Sequence, residues 1–217
     1  MQKINFTTSD GLKLAALAWD NNKAPVSVIL MHMMPAAKES WIPLADELSG
    51  KGGYNVLAFD FRGHGESQGG NYEDFTPEQH QQYYLDLEAA LSYAKQHFPD
   101  TEIYLGGASI GANMAIKYLA EHHEIKKAVA LSAGLDYYGV KGEELVTKTD
   151  PSQDLLLVAA ADDMRKSGTA ASRQAEILYD LANCQKEKLI FQTGGHGTAM
   201  LAAHPDLSQT IQDFFDN

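Results

Sequence analysis

The stretch YLGGASIGANMA, residues 104–115, decides the fold. At its centre Gly107-Ala108-Ser109-Ile110-Gly111 fits the pattern G-x-S-x-G. Before it stands an apolar run, residues 102–107, that reads as a buried strand. After it, residues 108–122 read as a helix. A serine on a strand-to-helix turn this sharp is lifted above the end of the sheet, and bulky residues at the two glycine positions would clash. The helix N-terminus adds positive potential beneath the hydroxyl. Ser109 is therefore the candidate nucleophile.

Working outward, apolar runs alternate with helical patterns along the whole chain. Residues 3–8 and 12–19 predict two strands joined by a turn at Asp10-Gly11, and residues 26–32 and 55–61 read as strands buried on both faces. Between the last two, residues 41–53 predict a short helix capped by Ser40 and ended by glycines. One long helix is predicted from a Thr76 capping box, with Pro77 and Gln79, to Pro99. Further strands are expected at 126–134, 154–162 and 187–193, and further helices at 172–184 and 207–215. Such alternation implies parallel βαβ units, hence an α/β fold with a mostly parallel twisted sheet and helices on both faces. With 217 residues and no linker-like segment, one domain over 1–217 is expected. Only about 20 residues separate the strands around Ser132 and Leu155, space for a loop and one short helix near residues 142–145 and for a minimal cap at most.

The net charge of −12 argues against nucleic acid or an anionic membrane surface as partner. Cys184 is the single cysteine, which excludes an intramolecular disulfide or a multi-cysteine zinc site and leaves a packed thiol. No basic start followed by an apolar run opens the chain, so a cytoplasmic protein is the expectation. No metal-ligand spacing, P-loop ending or G-x-G-x-x-G after the first strand occurs, and no cofactor is expected.

A serine hydroxyl needs a base. His196 lies directly after the strand at 187–193, and Gly194, Gly195 and Gly197 let its loop reach back over the nucleophile. His80, His97, His122, His123 and His204 are expected on helix surfaces or ends. The histidine needs a carboxylate to hold its tautomer. Asp163, after the strand at 154–162, is the choice, with Asp162 and Asp136 as the other carboxylates in reach of such a role.

The order Ser, Asp, His on a parallel sheet resembles the α/β-hydrolase superfamily, and within it the small, lid-poor serine esterases and dienelactone-hydrolase-like enzymes. VILMHMMPAAKESW (28–41) occupies the place of that family's His-Gly oxyanion loop, FDFRGHGES (59–67) resembles its D-x-R-G-x-G-x-S turn, and LSAGLDYYGV (131–140) resembles a segment following a core strand. Met33 stands where the family has glycine, implying a differently shaped loop. The resemblance implies an oxyanion hole from the backbone N–H groups of Ile110 and Met34, and a loop-bonding role for His32. Loop position suggests Met33, Met34, Trp41, Tyr137 and Tyr138 as walls of a substrate pocket. The expected activity is hydrolysis of a small-molecule carboxylic ester through an acyl-enzyme on Ser109. Thioesters, amides or short peptides as substrates, or a catalytically silent binding protein, are the other readings.

Overall fold

Residues 1–21, 24–50, 53–165 and 167–217 are described in the structure, a computed structural model. An eight-stranded sheet runs through it. Its strands are β1 (Gln2–Thr7), β2 (Lys13–Trp19), β3 (Val26–Met31), β4 (Asn55–Phe59), β5 (Glu102–Ala108), β6 (Lys127–Leu131), β9 (Asp154–Ala160) and β10 (Gln185–Phe191). Two short strands, β7 (Asp136–Tyr137) and β8 (Val140–Lys141), pair separately as a hairpin. In the sheet the order is β1-β2-β4-β3-β5-β6-β9-β10. The pairs β1/β2 and β2/β4 are antiparallel and every other pair is parallel.

The parallel register is what places the site. Met31 pairs with Gly107, Ala108 with Leu131, Leu131 with Val158, and Ala160 with Phe191. The C-terminal ends of these strands are thus level, and the loops that follow β3, β5, β6, β9 and β10 all leave from one edge. Ligand sites in open α/β sheets form at that edge.

Continuous apolar strands bury both faces, and alternate residues serve two cores. Val28 and Leu30 face one core with Trp41, Leu44, Leu48, Met200, Phe214 and Phe215, which come from the flank carrying α1 (Ile42–Gly50), α7 (Ala199–Ala203) and α8 (Leu207–Asp216). Ile29 and Met31 face the other, with Leu91, Ile116, Leu119 and Leu178. Those side chains belong to α3 (Tyr83–His97), α4 (Ile110–Glu121) and α6 (Ala171–Leu181).

The long helix predicted after Thr76 is two helices. The capping box forms as expected, but α2 (Pro77–Gln81) stops at Gln82, whose N–H bonds back to both Gln79 and His80. Gln82 turns its side-chain oxygen to Arg62 Nη1 at 2.9 Å, and α3 then starts afresh. Ser40 is not a cap either: it lies inside a 3-10 turn, Lys38–Trp41, ahead of α1. Of the glycines expected to end that helix, Gly52 lies outside the described residues. The predicted helix at 172–184 ends at Leu181, leaving Cys184 buried just before β10.

A buried charged network locks the edge. Lys38 Nζ, 1% exposed, bonds the fully buried Asp60 at 2.7 Å and reaches Glu66 at 2.9 Å and Glu39 at 3.0 Å. Asp60 also accepts the N–H groups of Lys38 and Glu66. Burial works against the Lys38 charge, but its three carboxylate partners outweigh that and raise its pKa above the ordinary lysine value. At Gly65 a Cβ would fall 2.2 Å from Asp60 Oδ2, which explains the glycine in the FDFRGHGES turn. Beside it Arg62 bonds Asp86 through its backbone N–H and its side chain, both at 2.8 Å, and pairs with Asp10. The turn after β4 is thereby tied to β3's loop, to α3 and to the β1–β2 turn. Lys38→Met would leave Asp60 charged, buried and unpaired, so a loss of about 3–5 kcal/mol in unfolding free energy is expected, measured by urea titration.

Candidate active site

Ser109 stands between β5 and α4 with φ 55° and ψ −116°, a left-handed backbone that a serine rarely adopts. The neighbours make this geometry possible. A Cβ at Gly107 would lie 2.1 Å from the Gly111 carbonyl oxygen, and one at Gly111 would lie 2.3 Å from the Met31 carbonyl oxygen. Only glycine fits at either point, and α4 is pressed against β3 and β5 at its first turn.

His196, Asp163 and Ser132 meet at the same edge. His196 Nδ1 lies 2.8 Å from Asp163 Oδ2. Asp163 also accepts the Ser132 hydroxyl at 2.8 Å, and Ser132 Oγ in turn accepts the Gly197 N–H at 2.9 Å. Burial would raise the Asp163 pKa, but the hydrogen bond and charge of His196, with Arg165 and Ser132, hold it below the ordinary carboxylate value. An ionised Asp163 facing Nδ1 leaves Nε2 as the ring's basic nitrogen. Asp162 plays a different part. It accepts the N–H groups of Gly194 and Gly195 at 3.1 and 3.0 Å and braces the histidine loop. Asp136 is exposed and bonds Gly139 within its own hairpin.

The cavity in front of these groups, about 580 Å³, is lined by Met34, Tyr137, Tyr138, Met164, Asp136, Asp163, Arg165, Ser167, Gln174 and His196. Tyr137, Tyr138 and Met34 thus stand where a pocket wall was expected. Trp41 does not: it is 0% exposed and belongs to the core beneath the sheet, because the 3-10 turn Lys38–Trp41 folds inward. Met33 is displaced too. Its side chain packs under the histidine loop, where a Cβ on Gly197 would come within 2.5 Å of its sulfur, and Thr198 Oγ1 lies 3.9 Å from that sulfur. Ile110 is the first residue of α4, directly after Ser109. Met34 follows Met33 at the rim, precedes a cis peptide bond to Pro35, and takes a weak contact from the Tyr83 hydroxyl at 3.9 Å.

The roof of the cavity is the β7–β8 hairpin. Tyr138 and Gly139 form its turn with φ 49° and 86°, the pair of positive φ angles that suits a tight hairpin. A single buried residue of α4, Asn113, holds both feet: its side chain donates to the carbonyls of Gly134 and Val140 at 2.9 Å each and accepts the Gly134 N–H. The hairpin leads into the short helix α5 (Gly142–Leu145), where one helix was expected.

Two residues escaped sequence reading. Arg165 donates to the Tyr137 hydroxyl and to the Ser132 carbonyl at 2.6 Å, and its Nη1 lies 3.0 Å from His196 Nδ1. Its one sequence signal is its place two residues after Asp163. Ser132, with φ 54°, is signalled only by standing at the end of β6, beside the strand that carries Ser109.

One histidine takes a position other than that expected, while His122 and His204 lie at the ends of α4 and α7 as expected. His80 is buried, stacked on Tyr138 at 3.9 Å and bonded to the Tyr83 hydroxyl, because α2 is turned inward. His122 stacks on Tyr118 at 3.7 Å and bonds Tyr84, and His204 stacks on Phe191 while bonding the Thr193 carbonyl at 2.7 Å. His32 follows the expectation of a loop bond. Its Nε2 accepts the Phe61 N–H at 3.0 Å, so its Nδ1 carries the proton toward the Met33 carbonyl at 2.9 Å. His64 lies against it, stacked on Tyr72 and bonded to Tyr83. Among the described residues no cluster of three or more His, Cys, Asp or Glu is placed to hold a metal, and no helix is long and apolar enough to cross a membrane.

A family model described as alpha/beta hydrolase fold matches residues 26–175. The chain belongs to that family. Among curated members and relatives, a thiohydrolase, aneE of Aspergillus aculeatus, is 34% identical over 114 residues, covering 52% of this chain and 36% of that protein. A proline iminopeptidase of Lactobacillus helveticus is 27% identical over 125 residues, covering 54% and 39%. The chain thus spans less than half the length of these curated relatives. Among solved structures, the esterase Pf2001 of Pyrococcus furiosus superposes with a TM-score of 0.80 at 23% identity, over 99% of this chain and 91% of that one. This likeness extends the family fold to both ends of the chain.

Burial first, then the nearby His32 and His80, push the His64 pKa from 6.5 down to about 3. As pH falls below 6.5 the unfolded chain takes up this proton before the folded chain does, so this stability is complete above 6.5 and lost progressively toward 3. One proton corresponds to a slope of about 1.4 kcal/mol per pH unit. His64→Gln removes that share. Urea titrations at successive pH values between 7 and 5 should show the wild type losing stability more steeply than the variant, by about 1 kcal/mol per pH unit on average and approaching the full one-proton slope toward pH 5.

Proposed function

We propose that the protein is a serine hydrolase of small carboxylic esters, with Ser109 as nucleophile. The observation that carries this reading is the left-handed Ser109 on the β5–α4 turn, level with a His196–Asp163 pair at 2.8 Å on neighbouring loops. Ser109 Oγ attacks the carbonyl carbon as His196 Nε2 takes its proton. The backbone N–H groups of Ile110 and Met34 stabilise the oxyanion, each such donor contributing about 3–4 kcal/mol in the transition state. His196 then protonates the leaving alcohol. A water molecule, deprotonated by the same nitrogen, attacks the acyl-enzyme and frees Ser109. Asp163, held ionised, keeps the Nδ1 proton in place and stabilises the imidazolium. No step calls for a cofactor. A second reading, the same residues acting on a thioester, is supported by the thiohydrolase at 34% identity.

The test is fluorophosphonate labelling combined with turnover of p-nitrophenyl esters. Ser109→Ala should abolish labelling and lower turnover at least about a thousandfold, with thermal stability little changed. Asp163→Asn should lower kcat by about four orders of magnitude through the wrong His196 tautomer. Asp162→Asn should cost far less, and a reversed ranking would move the acid to Asp162.

The cavity sets an acyl preference. Met34, Tyr137, Tyr138 and Met164 give it apolar surface, while Asp136, Arg165, Ser167 and Gln174 give it polar surface. Tyr138 and Met164 are themselves exposed. A growing acyl chain gains about 0.8 kcal/mol per methylene only where that methylene leaves water. The plot of log kcat/KM against acyl length should therefore rise over the first few carbons and then flatten, with no jump at the onset of micelles. A steady climb to twelve carbons or more would show a deeper site.

A further inference from the structure

One hydroxyl joins the loop that carries the proposed acid to the loop that carries the proposed base. Ser132, just past β6, is 0% exposed. Its Oγ lies 2.9 Å from the Gly197 backbone nitrogen and 2.8 Å from Asp163 Oδ2. The direction of both bonds is fixed. A backbone N–H can only donate, so Oγ accepts from Gly197. The one hydroxyl hydrogen is left for Asp163, an ionised carboxylate that can only accept. Gly197 directly follows His196. The hydroxyl therefore touches the segments of both members of the His196–Asp163 pair.

The main chain of Ser132 holds that oxygen in place. Its N–H donates to the Val158 carbonyl of β9 at 2.7 Å, and its own carbonyl accepts from Arg165 Nη2 at 2.6 Å. Every polar atom of the residue is thus engaged. The backbone is left-handed, with φ 54°, a conformation that strains a serine and that glycine adopts freely. Glycine would relieve that strain but would carry no hydroxyl. No part of Ser132 is open to the cavity, so it cannot meet a substrate and can act only through its neighbours.

His196 Nδ1 and Ser132 Oγ both address the same carboxylate oxygen, Asp163 Oδ2, each at 2.8 Å. Held by the imidazole alone, the carboxylate can turn about its Cβ–Cγ bond together with the ring that it orients. With a second donor anchored beside β6, such a turn breaks a hydrogen bond to an anion, one of the stronger kinds. We infer that Ser132 is a positioning residue for the proposed reaction, its hydroxyl setting the Asp163 carboxylate and the His196 loop at a fixed separation. The inference rests on the serine-hydrolase reading above. Against the burial that would raise the Asp163 pKa, the Ser132 bond adds to the effects of His196 and Arg165 in keeping the carboxylate ionised. The hydroxyl passes no proton: it sets where His196 Nε2 stands relative to Ser109. A displacement of about 1 Å at reacting atoms can cost about a hundredfold in rate.

The experiment measures kcat and KM for a short alkyl ester, beside fluorophosphonate labelling, on the purified full chain. Ser132→Ala keeps the left-handed backbone and loses the hydroxyl, whereas Ser132→Gly loses the hydroxyl and relaxes the backbone. Both should lower kcat by about 10–100-fold, with KM within about twofold of the wild type. If the alanine variant does not fold, the glycine variant carries the test, since its backbone is unstrained at that position. In an Asp163→Asn background, Ser132→Ala should cost less than about threefold further, because the carboxylate that it positions is gone. Wild-type kcat in either folded, labelled variant would overturn the inference while leaving the serine-hydrolase reading in place. A change confined to KM, or a full additive loss on top of Asp163→Asn, would do the same. A wild-type protein that neither takes the label at Ser109 nor cleaves the ester would overturn the reading on which the inference depends.

Discussion

The first turn of α4 lies against β3 and β5 with no room for a methyl group, and much else depends on that contact. Gly107 and Gly111 are the two points where the backbones meet, each closer than any Cβ allows. Because the helix starts so tightly, the residue between strand and helix is forced into a left-handed conformation, and that residue is Ser109. A turn with side chains at 107 or 111 would have to open, and the hydroxyl would leave the level at which the loops after β6, β9 and β10 arrive. Local strain at Ser109, about 1–3 kcal/mol, is sustained by apolar burial on both faces of the sheet.

The neighbouring edge is held by polar contacts. Asp60 gathers an ammonium group and two backbone amides, and Arg62 ties Asp86 and Asp10. Above them His32, His64 and His80 form a cluster with Tyr72, Tyr83 and Tyr138, ring against ring. Burial lowers the pKa of all three histidines, with bonds to the Met33 backbone raising His32 and nearby imidazoles further lowering His64. They serve as neutral, directional hydrogen-bonding rings. The Gly-His-Gly turn is structural, and its charge and imidazoles shape the loop that carries Met33 and Met34.

The residues legible from sequence were those whose role is set by local backbone geometry. Ser109 between two glycines, His196 in a glycine loop after a strand, and Asp163 past the preceding strand in the sheet are each marked by position relative to a strand end. The central strands β3, β4, β6 and β9 announced themselves by uninterrupted apolar runs, though not their order in the sheet. What stayed hidden depends on where distant segments meet. Trp41 lies in a loop by sequence, yet the 3-10 turn drives it into the core. His80 has a helix-surface pattern, but α2 packs against the roof hairpin. Arg165 and Ser132 gain meaning only from each other and from Tyr137, residues between 5 and 33 positions apart that the sheet register brings together. The break at Gln82 is likewise set by an arginine twenty residues earlier.

Asn113 gives the roof a property of construction. It grips the Gly134 and Val140 backbones from one turn after Ser109, so the hairpin is fastened to the helix that starts directly after Ser109 rather than hinged to the sheet. The five residues 135–139 between these fixed points form a natural cassette. Loops of equal span can be exchanged there without changing the sheet or the Ser109 turn, provided Gly134 and the carbonyl at 140 are retained and Arg165, which donates to the Tyr137 hydroxyl, keeps an acceptor. The junctions are defined by hydrogen bonds already present. This makes the hairpin the place to redesign what the protein accepts.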